Sequence, residues 1–160
     1  MMEDRKSVSL AQLAGMAGTF EAVSSWVTVT QPMIDAFADL THDRQFIHVD
    51  PARAKAETPF GGTIAHGFLT LSLLSQMAYE VLPEPAEAVM SINYGFDKLR
   101  FLSPVPSGAR IRGRFKLLEF SERRAGEMLS RHDVTIEIEN QDKPALAAQW
   151  LGVVVLGQQE

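Results

Sequence analysis

The stretch from His66 to Val81, "HGFLTLSLLSQMAYEV", sets the strongest limit on the fold. Phe68, Leu69, Leu71, Leu73, Leu74, Met77, Ala78 and Val81 are spaced so that a helix through them keeps no wide polar face. A helix apolar on most sides has to be covered on most sides. Pro83 and Pro85 then end it. The rest of the chain must therefore enclose this one rod.

The second half provides the means. "RIRGRFKL" places Ile111, Gly113, Phe115 and Leu117 on one face and Arg110, Arg112, Arg114 and Lys116 on the other. "DVTIEIE" alternates too, with Val134, Ile136 and Ile138 inward, and "ALAAQWLGVVVL" is a more apolar strand. Turn residues at "SERRAG" and "NQDK" predict hairpin connections. In "MSINYGFDKLRF" the parity changes: Ile92, Tyr94 and Phe96 share one face, Leu99 and Phe101 the other. A bulge near Asp97 would account for that.

The first half reads as short pieces. "SLAQLAGMAG" predicts a brief helix, and "FEAVSSWVTVT" a strand. "QPMIDAFADLT" predicts a helix capped by Thr30, with Pro32 in its first turn and an apolar stripe of Met33, Ile34, Phe37 and Leu40. "DPARAKA" predicts another, with Asp50 as N-cap. Together these give an α+β chain: an antiparallel β-sheet wrapped around one long buried α-helix. Spacing alone does not separate that from a sheet whose helix is sandwiched by a partner chain. Residues 1–160 are expected to form one domain, with 1–18 as an N-terminal extension.

Composition narrows the function. The formal net charge of -5 argues against a nucleic-acid footprint. The absence of Cys removes disulfides, thiolate nucleophiles and sulfur-based zinc sites. The N-terminal residues lack an apolar signal region and no run reaches membrane-span length, so a cytoplasmic protein is expected.

Titratable groups crowd into "DLTHDRQFIHVDPARA", just before the apolar helix. Asp43 and His48 could hold and polarise a water between them. On spacing alone the plainer reading is favoured, with Asp43 a cap and His48 a loop histidine. A metal reading through His42, His48 and Asp50 is weaker, since no i, i+4 His pair stands on a helix. In "FGGTIAHGF", Gly61 and Gly62 permit unusual dihedrals or close approach, and Gly67 falls in the first helical turn. A first-turn N–H lacks an intrahelical partner and can bind a carbonyl oxygen that gains charge. His66 reads as an end residue. Ser72 and Ser75 share one side of the helix, either bonded back to carbonyls or facing a pocket. No G-x-S-x-G elbow accompanies them.

"DRQFIHVDPARA" followed by "FGGTIAHGFLTLSLLS" resembles the hydratase-2 motif of the MaoC-like family, the R-specific enoyl-CoA hydratases of hot-dog fold. The downstream "INYGFDKLRFLSPVPSGARIRG" is similar to its single-domain members related to nodulation protein N. That motif runs Asp, any residue, Asn, Pro, an aliphatic residue, His. Asp43, Ile47 and His48 match, whereas Gln45 and Phe46 stand at the Asn and Pro positions. The resemblance implies a single hot-dog domain and a homodimer acting on an acyl-CoA thioester. It implies no cofactor, no metal, no nucleic acid and no membrane. Asp43 and His48 would be the catalytic pair and the Gly67 N–H the oxyanion donor. Gln45, Phe46, Gly62, Ile64, Ala65, His66, Ser75 and Asn93 would line the substrate. The expected reaction is reversible addition of water to trans-2-enoyl-CoA, giving (R)-3-hydroxyacyl-CoA. A hot-dog thioesterase and a non-catalytic acyl-CoA-binding module are the alternatives. Lys98, Arg100 and the arginines of "RIRGR" are candidates for the CoA phosphates, although a solvated sheet face explains the latter better.

Overall fold

The computed structural model describes residues 6–157, so the outermost residues of the expected 1–160 domain, including 1–5 of its extension, lie outside the described residues. In chain order the elements are β1 (Ser7–Val8), α1 (Leu10–Gly15), β2 (Glu21–Val23), β3 (Val27–Thr28), α2 (Gln31–Thr41), α3 (Phe46–Val49), α4 (Pro51–Glu57), α5 (Gly67–Ser72), α6 (Leu74–Val81), β4 (Glu84–Pro85), β5 (Ala88–Phe101), β6 (Arg110–Arg124), β7 (Glu127–Ile138) and β8 (Leu146–Leu156). One antiparallel sheet has the order β2-β6-β7-β8-β5, with β3 also pairing with β6. β1 and β4 form a separate parallel pair.

The alternation in "RIRGRFKL" and "DVTIEIE" places Ile111, Phe115, Val134, Ile136 and Ile138 against Leu69, Leu74, Met77 and Ala78 of the rod in one apolar core. This is the α+β hot-dog arrangement. A second apolar cluster joins Leu13 of α1 to Leu117 and Phe120 of β6, so the N-terminal helix packs against the sheet. The Ser9 and Gln12 capping box explains why that helix starts where it does. On the outer face, Arg112 and Arg114 both pair with Glu137, Arg114 also reaches Glu21, and Arg110 meets Glu139. The arginines of β6 are thus engaged in a cross-strand ladder.

Four details differ from the sequence-based expectation. The rod is two helical segments, interrupted at Leu73, and the Ser72 hydroxyl donates to the Phe68 carbonyl at 2.7 Å, a back-bond that bends helices. It is also not covered on every side of the single chain: Phe68 is 65% and Tyr79 51% exposed. "FEAVSSWVTVT" is two strands, because Ser24 leaves the regular ladder while its N–H and hydroxyl still meet Gly113. Leu40 is 80% exposed, so α2 buries Ile34 and Ala38 instead. The bulge expected near Asp97 is present: β5 slips register against β8 between Asp97 and Arg100, and Lys98 has a φ of 54°.

Candidate active site

The site is built where the α2–α3 connection crosses the start of α5. α2 ends with His42 in the left-handed region at φ 59°, which turns the chain sharply and leaves Asp43 in a short loop. One turn of helix, α3, then carries His48 inward, where it is 7% exposed. The Ile64 N–H donates to the Ile47 carbonyl at 3.0 Å, tying α3 to the strand-like approach to α5. Gln31 braces the same junction. Its amide donates to the His48 carbonyl at 2.7 Å and accepts from the Thr63 hydroxyl at 2.5 Å.

Asp43, His48 and His66 each bring a ligand-type atom within 4.8 Å of the others. The His48 Nδ1 lies 2.7 Å from the Ile64 carbonyl. A carbonyl only accepts, so Nδ1 carries the proton and Nε2 is left as the base. Burial holds the His48 imidazole below the usual histidine range; the Ile64 carbonyl opposes this, His66 adds to it and Asp43 opposes it. The His48 ring stacks on that of His66 at 3.8 Å between centroids and 23° between planes. Imidazole lone pairs lie in the ring plane, so two nearly parallel rings this close do not aim both nitrogens at one cation. The cluster is therefore poorly shaped for a metal.

A cavity of about 250 Å³ opens beside the pair, lined by His48, Ile64, Ala65, Gly67, Thr70 and Phe101 among others. Gly67 is the first residue of α5, so its N–H is one of the helix's unpaired donors. A Cβ on Gly67 would meet the Phe101 ring at 3.0 Å. Glycine is needed here for close approach of that ring; at Gly61 it is needed for a φ of 76°.

The other expected site residues divide. Ile64 and Ala65 line the cavity with His48 and Gly67, while Asp43 is exposed at the side of His48. Gln45 is exposed and Phe46 packs under the Arg53 guanidinium at 4.0 Å, so neither replacement of the family's Asn and Pro lines the cavity. Gly62 does not line it either. His66 is buried among protein groups. Ser75 and Asn93 face a separate cavity of about 170 Å³ between α6 and the sheet, together with His132 and Trp150. The two cavities have no lining residue in common. Gln31, Thr63, Thr70 and Phe101 were not expected at the site. Only a hydrophilic residue at the start of α2 hinted at Gln31, and that is too common a signal to use.

The fold and this pair define a hot-dog domain with an acid–imidazole site at the mouth of its central helix. A family model described as MaoC like domain matches residues 16–140, and the chain belongs to that family. It is 53% identical over 146 residues to nodulation protein N of Rhizobium meliloti (strain 1021), covering 91% of each chain. It is 43% identical to 3-hydroxyacyl-thioester dehydratase Z of Mycobacterium tuberculosis (strain ATCC 25618 / H37Rv), over 88% of this chain and 92% of that one. Among solved structures, a MaoC-like dehydratase from Rhodospirillum rubrum aligns with a TM-score of 0.74 at 20% identity, over 92% of this chain and 98% of the other. An (R)-hydratase from A. caviae involved in PHA biosynthesis aligns with a TM-score of 0.66 at 26% identity, over 88% and 100%.

Proposed function

We propose that this chain is an R-specific enoyl-CoA hydratase, a hydro-lyase that adds water reversibly to a trans-2-enoyl thioester and gives the (R)-3-hydroxyacyl thioester. The observation that carries the reading is the placement of Asp43 and His48 together beside a cavity that Gly67 also lines. Kinship with 3-hydroxyacyl-thioester dehydratase Z and with the (R)-hydratase supports the same chemistry.

The thioester carbonyl takes the Gly67 N–H, which draws electron density from the double bond and makes C3 electrophilic. The water sits between Asp43 and His48. The Asp43 carboxylate accepts one of its O–H groups and fixes its direction. His48 Nε2 removes the other proton as the oxygen bonds to C3. The π electrons move into an enolate held by Gly67. His48 then returns its proton to C2, so one water is consumed and the enzyme is unchanged. Dehydration is the same path in reverse.

Two further elements belong to the proposal. The chain works as a homodimer: β5 is an edge strand of the sheet, and Met90, Ile92 and Tyr94 on it are exposed in the single chain beside the open aromatics of the rod. The location is cytoplasmic, in the compartment that holds CoA thioesters, because a multiply charged substrate does not cross a bilayer unaided. Among the described residues no helix is long and apolar enough to cross a membrane.

The test is to incubate the protein with crotonyl-CoA and a longer 2-enoyl-CoA, following enoyl absorbance and free thiol together. Hydration lowers the first and leaves the second at zero. Thiol release would mean a thioesterase, and no change in either would mean a binding module.

A further inference from the structure

We propose that His66 is the positioning residue of the site: an imidazole that tethers the Asp43 loop through one nitrogen and sets the His48 ring with its face. This rests on the hydratase reading and adds a residue to it. His66 is 3% exposed, so it is not placed to line the substrate as the family resemblance would have it. Its Nε2 lies 2.9 Å from the Asp43 backbone carbonyl. Its ring is stacked on His48, and Phe37 of α2 packs against it at 5.0 Å between centroids. Its own carbonyl accepts the Thr70 hydroxyl at 3.3 Å and the Thr70 N–H at 3.1 Å, so the backbone under the ring is anchored in α5.

The Asp43 loop has few other anchors. The Asp43 N–H reaches the Thr41 hydroxyl at a long 3.4 Å, and Arg44 pairs with Asp39 in an exposed ion pair. Such a pair contributes little in water. The His66 bond thus links the loop that carries the acid directly to the start of the helix that carries Gly67. A residue next in sequence to the oxyanion donor holds both members of the pair in register with it.

The tautomer follows from the acceptor. The Asp43 carbonyl cannot donate, so Nε2 carries the hydrogen. Nδ1 is buried with no hydrogen-bond partner, so Nε2 is the nitrogen that does the tethering. His66 thus gives Nε2 to the loop and its face to His48, its stacking partner, which takes and gives the proton. The titratable groups facing His48 are His66 and Asp43; Gln31, which meets its carbonyl, is neutral.

The experiment compares wild type with His66→Phe and His66→Gln. Phe keeps an aromatic stack and loses the tether; Gln keeps a donor for the Asp43 carbonyl and loses the stack. With crotonyl-CoA, His66→Phe lowers kcat by about 10²-fold, the cost of a small misplacement of reacting groups, and leaves KM unchanged. His66→Gln retains more of kcat than His66→Phe. Nitrogen-15 NMR of wild type shows the His66 hydrogen on Nε2, the nitrogen that meets the Asp43 carbonyl. A raised KM with kcat intact, full kcat in folded His66→Phe, or a wild-type His66 whose hydrogen sits on Nδ1 with Nε2 bare overturns the proposal. If either variant fails to fold, the wild-type NMR still decides it. If wild type hydrates nothing, the hydratase reading fails, and the tautomer of His66 still decides the positioning role.

Discussion

Asp43 and His48 act on one water, so their losses should not add. Asp43→Asn and His48→Ala each lower hydration by about 10²–10⁴, the usual worth of a general acid–base group. The double variant falls little below the worse single one, as measured by steady-state rates with melting curves as the folding control. His42 is the internal control. It is exposed at a left-handed φ of 59°, where a Cβ is strained, so His42→Gly leaves activity intact and raises stability by up to about 1 kcal/mol, read as a higher Tm. pH adds an independent check. The base is neutral His48, and burial lowers its pKa, so kcat/KM stays level as pH falls through about 6.5 and declines only below it. A decline centred above that value would assign the limb to another group. The pair itself is legible in the sequence, since Asp43, Ile47 and His48 hold the motif's spacing. The bracing around it is not. His66 bonds a backbone carbonyl, which every residue possesses, and Gln31 reaches a carbonyl 17 positions away. Neither leaves a trace in residue type.

The start of α5 against the end of β5 shows what sequence spacing could and could not deliver. The parity change in "MSINYGFDKLRF" announced a bulge, and the register slip between Asp97 and Arg100 realises it. That the slip leaves Phe101 against Gly67 was invisible, because the two lie on elements brought together only in the folded chain. The consequence is testable. Gly67→Ala pushes on the Phe101 ring and lowers hydration, and adding Phe101→Ala restores part of the rate. Equal rates for Gly67→Ala and wild type would show that the ring yields freely. The rod carries the same lesson: its apolar residues revealed its burial, whereas the break at Leu73 lies beside the Ser72 back-bond, a local competition that hydrophobic periodicity does not register.

At the level of the molecule, an apolar rod and alternating strands were enough to indicate a sheet wrapped on a helix. The order β2-β6-β7-β8-β5 was not legible, since hairpins fix only the neighbours β6-β7 and β7-β8. The edge position of β5 predicts a dimer by light scattering at micromolar concentration, and Ile92→Asp on that strand weakens it; a wild-type monomer would contradict the interface. Acid stability reports on the second cavity. Burial lowers the His132 pKa from 6.5 to about 4, which corresponds to about 3 kcal/mol. Below the unfolded value the unfolded chain binds the extra proton, so this stability is present above about pH 6.5 and is lost as pH falls toward 4. Denaturant titrations of His132→Phe should show a flatter loss across that window. The hydratase chemistry is tested most directly by one comparison: crotonyl-CoA hydration, with thiol release followed in parallel, by wild type and His48→Ala. Wild type consumes the enoyl thioester without releasing thiol and yields the (R)-3-hydroxy product, while the folded His48→Ala protein is slower by about 10²-fold or more. Thiol release by wild type, or a folded His48→Ala protein hydrating at the wild-type rate, would contradict it.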